Sequence, residues 1–331
     1  MTAEPAMTPF ATLHHRPGEP LLLPNAWDHA SACALAARGF PAVGTTSLAV
    51  AAAAGLPDGA GATRAHTLRL ARTLGSGPCL LSVDAEDGFS QDPGDVAELA
   101  RELWAVGAAG VNLEDGLGPS GRHAAKIAAV KAAVPGLFVN ARTDTYWSGG
   151  GHKRDTLRRL DAYQQAGADA VFVPGLTDPR RIAALVRHLD VPLNILYSPT
   201  GPTVAHLAGL GVRRVSVGSL LYRRALGAAV EAMARVAAGR APEGATPSYG
   251  DVQAFSDAHP GGARFPGADA AAPTWAWPPP TPPAWTASPG PGDRDTPPPK
   301  GDYRPVARLP DADRVSTRRR ANPSGCSSTP R

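Results

Sequence analysis

Short apolar runs alternate with longer amphipathic or alanine-rich stretches through the first 240 residues. Apolar runs of a few residues bounded by turn formers predict buried strands. They fall at 21–24, 42–45, 79–83, 109–113, 137–140, 170–173, 192–196 and 214–217. A helical pattern follows each, at 29–38, 63–73, 93–106, 122–133, 153–166, 179–189, 202–209 and 222–238. Gly39, Gly107, Gly136, Gly167 and Gly211 stand where these helices should stop, as residues that accept a left-handed cap do. Val106-Gly107-Ala108-Ala109-Gly110-Val111 and Gln165-Ala166-Gly167-Ala168-Asp169-Ala170-Val171 repeat one device: helix end, tight turn, buried strand. Eight strand–helix units predict a (β/α)8 TIM barrel. A doubly wound sheet is the main alternative, but no Gly-x-Gly-x-x-Gly follows the first strand and no P-loop is present.

Proline changes the picture only beyond the barrel. Residues 251–331 hold 17 of the 35 prolines and end in a Ser/Arg-rich stretch. The expected organisation is a barrel over 1–250 and a disordered or polyproline-like tail over 251–331. Formal net charge is +4, of which the tail's nine Arg and one Lys against eight Asp supply +2. Neither part is basic enough to predict a nucleic-acid or membrane partner. Three cysteines lack metal-ligand spacing, which fits a reducing cytoplasm. No run approaches the roughly 18 apolar residues of a membrane span, so a cytoplasmic location is expected.

In such a barrel the chemistry lies at the C-terminal strand ends. Two acidic clusters sit there: Asp84-Ala85-Glu86-Asp87 and Glu114-Asp115. Carboxylates at the tips of neighbouring buried strands are costly unless a hard cation offsets them. Asp84, Glu86 and Glu114 are the candidate ligands for one cation, directly or through water; Asp87 is read as a turn cap. Arg142 is the one cation expected among the strand-tip residues. It can grip a substrate carboxylate in bidentate fashion, or pair with Asp144 or Glu114. Thr45, Thr46 and Ser47 offer hydroxyls and backbone N–H groups to a second carboxylate, or serve as turn chemistry. His123 is either a proton donor from a closing loop or an exposed residue of a helix's first turn. His14 and His15 precede the barrel and are expected in solvent. None of the four lysines lies at a strand tip, which argues against Schiff-base chemistry.

These segments together resemble the isocitrate lyase / phosphoenolpyruvate mutase superfamily from about residue 22 to 238. The resemblance is carried by Pro24-Asn25-Ala26-Trp27-Asp28, Gly44-Thr45-Thr46-Ser47, Gly55-Leu56-Pro57-Asp58-Gly59, Asp84-Ala85-Glu86-Asp87-Gly88, Gly110-Val111-Asn112-Leu113-Glu114-Asp115, Ala141-Arg142-Thr143-Asp144, Phe172-Val173-Pro174-Gly175 and Pro192-Leu193-Asn194. It implies a Mg²⁺-dependent barrel (Mn²⁺ being the alternative ion), homo-oligomeric as a dimer or tetramer, its last helix often exchanged between subunits. It implies Asp84 as direct metal ligand, with Glu86 and Glu114 direct or through water. It sets Thr45, Thr46 and Ser47 around a 2-oxo carboxylate, Arg142 and Asn194 beside it, and Asp58 as an acid near the substrate.

One segment departs from that pattern. Isocitrate and methylisocitrate lyases carry Lys-Lys-Cys-Gly-His in the loop after strand four. Here the loop reads Gly116-Leu117-Gly118-Pro119-Ser120-Gly121-Arg122-His123. The reading that follows is a Mg²⁺-dependent lyase, cleaving a C–C bond or decarboxylating a small 2-oxo or 2-hydroxy carboxylate through an enolpyruvate-like intermediate. Catalysis is assigned to Arg142, Glu114, Asp58 and His123. A phosphonopyruvate mutase or hydrolase is one alternative, and a non-catalytic carboxylate-binding member of the family is the other.

Overall fold

Each of the eight apolar runs forms a strand, because each is short, largely buried (Leu22 of the first being exposed) and closed by a turn. The structure, a computed structural model, describes residues 7–147 and 151–256. The strands are β1 (Leu21–Leu23), β2 (Ala42–Gly44), β3 (Leu80–Asp84), β4 (Ala108–Glu114), β5 (Phe138–Arg142), β6 (Ala170–Phe172), β7 (Leu193–Leu196) and β8 (Arg214–Ser216). The helices are α1 (Pro9–His14), α2 (His29–Ala36), α3 (Ser47–Ala54), α4 (Arg64–Leu74), α5 (Pro93–Ala105), α6 (Ser120–Ala133), α7 (Thr156–Gln165), α8 (Pro179–His188), α9 (Val204–Gly209), α10 (Leu220–Ala237) and α11 (Tyr249–Ala254). A 3₁₀ turn over Gly151–Asp155 leads into α7.

The sheet is parallel and runs β1-β8-β7-β6-β5-β4-β3-β2. Its remaining seam, between β1 and β2, is joined by a parallel bridge from Asn25 to Gly44. There the Gly44 N–H donates to Pro24 O at 2.8 Å and the Ala26 N–H to Gly44 O at 2.7 Å. A side chain at 44 would stand 2.8 Å from Asn25 Nδ2, so glycine lets the seam close. The result is the expected (β/α)8 barrel.

Two apolar cores hold it. The larger lies between strands and helices, with Val83, Leu113, Val139 and Ile195 meeting Leu103, Ile127, Leu160 and Ile182. The smaller fills the barrel floor, where Phe10 and Leu13 of α1 pack on Leu21, Leu23, Phe138 and Ala170. The Phe10 and Phe138 rings meet edge to face, centroids 5.3 Å apart. Gly110 makes room for this plug, since a Cβ there would come within 2.7 Å of Phe10 Cε1.

Three helices were not expected: α1, α3 and α11. The plug overturns the solvated reading of His14. That ring is buried, stacked on Phe138 at 4.2 Å, and its Nδ1 donates to Phe10 O at 2.9 Å. His15 is exposed as expected. Helix α11 crosses the expected boundary at 250, and Phe255 O accepts from His29 Nε2 at 2.8 Å. The rest of the expected tail, 257–331, lies outside the described residues. Helix α10 buries none of its residues.

Candidate active site

The C-terminal strand ends surround a cavity of about 560 Å³. Alternate strand residues face opposite sides, so β3 aims Asp84 inward, β4 Asn112 and Glu114, and β5 Asn140 and Arg142. The Asp84 carboxylate is held from two directions. Its Oδ2 accepts the Ser47 N–H at 3.0 Å, at the start of α3. Its Oδ1 accepts Asn112 Nδ2 at 3.2 Å, and Asn140 Nδ2 donates to Asn112 Oδ1 at 2.7 Å. Thr45 Oγ1 accepts the Asp84 N–H at 2.8 Å. A helix N-terminus favours negative charge, and the amide relay fixes which way the carboxylate faces.

Arg142 meets both of its candidate acidic partners. Its Nη1 lies 2.8 Å from Glu114 Oε2 and its Nε 2.7 Å from Asp144 Oδ1. Nη2 has no hydrogen bond among the described residues, so its two N–H groups and the second N–H of Nη1 remain for a substrate. Asp58 lines the same cavity. Burial first, and then Asp84, Asp144 and Asp58, push Glu114 up to about 8 despite Arg142. Burial likewise raises Asp144. The wall therefore carries more negative charge than Arg142 alone offsets.

Sequence reasoning missed a second cation. Arg214 opens β8, away from the strand tip, yet its side chain lines the cavity and is buried. Its Nε donates to Ser216 Oγ at 2.9 Å, and Nη1 has no partner among the described residues. Burial lowers its pKa to about 9, with Asp84 opposing. Arg223, from the first turns of α10, also reaches the rim.

Thr45, Thr46, Ser47, Asp58, Asp84, Glu114 and Arg142 thus share one cavity. Three other candidates do not line it. Asn194 is buried in the barrel interior, where its Nδ2 donates to Ser216 Oγ at 3.1 Å. Glu86 adopts a left-handed φ of 48°, which turns its carboxylate toward the α3–α4 loop. There it accepts the Gly61 N–H at 3.0 Å and Thr63 Oγ1 at 2.5 Å. His123 is buried rather than exposed, its ring 4.6 Å from Tyr163. Burial lowers its pKa to about 4, Asp115 opposing. Both Glu86 and His123 border a neighbouring cavity of about 290 Å³. The second acidic cluster splits too. Glu114 faces in, while Asp115 takes Arg159 Nη1 at 2.9 Å and the Tyr163 hydroxyl at 2.7 Å. Asp87 Oδ1 accepts the Phe89 N–H at 3.0 Å, the turn cap expected of it.

Among the described residues no three His, Cys, Asp or Glu side chains converge to wrap a metal unaided. The donor chemistry nevertheless fits Mg²⁺. That ion takes hard oxygens and retains several waters, needing only one or two carboxylates. Asp84 would supply the direct oxygen, with Asp58 and Glu114 reaching the ion through water.

An eight-stranded barrel with its carboxylates, hydroxyls and arginines at one rim is the enzyme form of this fold. The family model for phosphoenolpyruvate phosphomutase matches residues 10–237, and the chain belongs to that family, within the isocitrate lyase / phosphoenolpyruvate mutase superfamily of lyases and mutases. An uncharacterized protein of Mycobacterium tuberculosis is 44% identical over 250 residues, covering 74% of this chain and 95% of that one. The 2-methylisocitrate lyase of Bacillus subtilis is 33% identical over 187 residues, 52% of this chain and 61% of its own length. A solved phosphonopyruvate hydrolase in complex with oxalate and Mg²⁺ is 26% identical with a TM-score of 0.64, over 72% of this chain and 90% of that one. Among the described residues no helix is long and apolar enough to cross a membrane.

Proposed function

We propose that the chain is a Mg²⁺-dependent lyase that cleaves a C–C bond in, or decarboxylates, a small 2-oxo or 2-hydroxy carboxylate. The observation that carries this reading is the meeting of Asp84, Glu114 and Asp58 with the Thr45–Ser47 segment and Arg142 in one cavity. When bound, Mg²⁺ polarises a 2-oxo acid and offsets the charge that collects on its oxygen as the bond breaks. The protein's part is orientation. Ser47 and Asn112 fix Asp84. The Thr46–Ser47 end of α3 receives the substrate carboxylate. Arg142, held by Glu114 and Asp144, presents Nη2 to the departing or retained acid group.

No Cys, Lys or His is among the described residues lining the cavity. The groups left to supply the proton that completes the product are Glu114, whose carboxyl is raised to about 8, the Tyr197 hydroxyl and water, which favours decarboxylation or a related cleavage that needs no cysteine acid. The exposed apolar stripe of α10 supports a homo-oligomer. We assign the protein to the cytoplasm on its free Cys33 and Cys79. The test is a Mg²⁺-supplemented panel of 2-oxo and 2-hydroxy acids and phosphonopyruvate, read by pyruvate, CO₂ and phosphate release. Turnover of a carboxylate that EDTA abolishes and Mg²⁺ restores is expected. Phosphate release from phosphonopyruvate, or turnover indifferent to EDTA, would overturn the reading.

A further inference from the structure

Arg159 and Arg214 are both buried, and only one of them is paired. Arg159 holds two carboxylates, Asp115 at 2.9 Å and Asp155 at 2.7 Å. Arg214 holds none among the described residues. It enters β8 level with Leu21 of β1 and Asn194 of β7. Its side chain rises along the strand, since Nε bonds Ser216 Oγ two residues on. A strand advances about 3.3 Å per residue, so the guanidinium stands a layer above its own Cα and lines the foot of the cavity. Nη1 is buried without a partner, and Nη2 makes no hydrogen bond among the described residues. Four of the five N–H groups of a guanidinium thus lack an acceptor. A desolvated cation without a counter-charge is strongly unfavourable. Its surroundings do not supply one. Asn140 Oδ1 and Asn194 Oδ1 also lack partners, but a neutral amide oxygen does not balance a charge. Asp84 acts on Arg214 only at longer range, its own oxygens being taken by the Ser47 N–H and Asn112 Nδ2.

We propose that Arg214 is a further substrate-binding residue: its guanidinium donates to a carboxylate oxygen of the bound acid at the foot of the cavity, so that the substrate's own charge completes the ion pair. This rests on the reading of the site as one for 2-oxo and 2-hydroxy acids. A planar fork of N–H groups suits a carboxylate, and Arg is less strongly hydrated than Lys, so it tolerates such a dry position. Arg142, already held by Glu114 and Asp144, acts from the tip of β5, and Arg214 acts from beneath. The ligand-free protein keeps a buried charge uncompensated, a cost in stability that binding sites commonly carry.

The experiment uses the full chain with Mg²⁺, as wild type, Arg214→Met and Arg214→Lys. Calorimetry gives affinities for lactate and for its uncharged counterpart lactamide, and urea unfolding gives stability with and without lactate. The ratio of the two affinities isolates the carboxylate, and the share of it due to Mg²⁺ is common to all three proteins. Expected is a ratio lower by about tenfold or more in Arg214→Met. Part of the loss should return in Arg214→Lys, which keeps the charge without the fork. Lactate should stabilise the wild type more than the Met variant, and without ligand that variant should be at least as stable as wild type. An unchanged ratio in both variants overturns the inference, and says that water or an inorganic anion answers Arg214. Affinities for lactate and lactamide that fall together mark a structural prop and overturn it as well. Should Arg214→Met not fold, the ratio in Arg214→Lys decides. If no 2-oxo or 2-hydroxy acid is turned over, the functional reading fails, while the ratio, which needs no turnover, still decides whether Arg214 takes a carboxylate.

Discussion

Glu86 and Glu114 sit at the ends of adjacent strands, and only the backbone separates their roles. Glu114 continues the alternation of β4 and enters the cavity. Glu86, at φ 48°, occupies a region that costs an L-residue about 1–2 kcal/mol, and its bonds to Gly61 and Thr63 compensate. These two bonds tie its carboxylate to the loop that carries Asp58. Glu86→Ala should raise KM about tenfold with a smaller change in kcat, and lower stability by about 1–3 kcal/mol in urea unfolding; an unchanged KM would contradict the tether. The sequence showed an acid at this tip but not its direction, because a left-handed residue breaks the period-two rule. Arg214 escaped notice for a related reason: it stands at the start of β8, in a segment read as buried strand. His14 illustrates the energetic side. Burial, then Arg214, lowers its pKa to about 3. Between pH 6.5 and that value the unfolded chain binds a proton that the folded one refuses, so stability is full above 6.5 and falls as pH drops, by up to about 1.4 kcal/mol per pH unit. Glu114, raised to about 8, works in the opposite sense, its stabilisation being lost as pH rises toward 8. The readout is therefore the difference between wild type and His14→Gln. The variant should lose less stability from pH 7 to 5, and equal losses would contradict the account.

Among the elements, the eight strands were legible because a parallel strand buried on both faces has no choice but to be a short apolar run. Helix α3 was not. Ser47-Leu48-Ala49-Val50-Ala51-Ala52-Ala53-Ala54 has no polar face to give it a period, and its start coincides with the Thr45–Ser47 segment, read from sequence as hydroxyl chemistry at a strand tip. Helix α1 spans six residues, too few for periodicity to register. It exists because the barrel floor must be closed, a tertiary demand that local sequence does not express. Phe10→Ala should therefore cost about 3–5 kcal/mol, measured by chemical denaturation. A loss under 1 kcal/mol would mean that the plug is dispensable. Helix α11 was concealed by the proline-rich composition that begins just beyond it.

For the molecule as a whole, α10 is the element out of balance. Leu226, Val230, Met233 and Val236 are exposed at 51%, 72%, 64% and 52%, spaced to form one stripe along the helix. An apolar stripe of this kind is covered in a stable protein. Val230→Asp should shift the particle to a smaller mass by light scattering, and a wild-type monomer would contradict the oligomer. The central claim concerns the opposite end of the barrel, where the family assignment and the geometry of Asp84 converge. Mg²⁺ titration by calorimetry, on wild type and Asp84→Ala and paired with turnover of the best carboxylate substrate, tests it most directly. The account predicts one Mg²⁺ site per chain in the wild type, and loss of both binding and turnover, by at least about a hundredfold, in the variant. Retained Mg²⁺ binding with retained turnover in Asp84→Ala would contradict it.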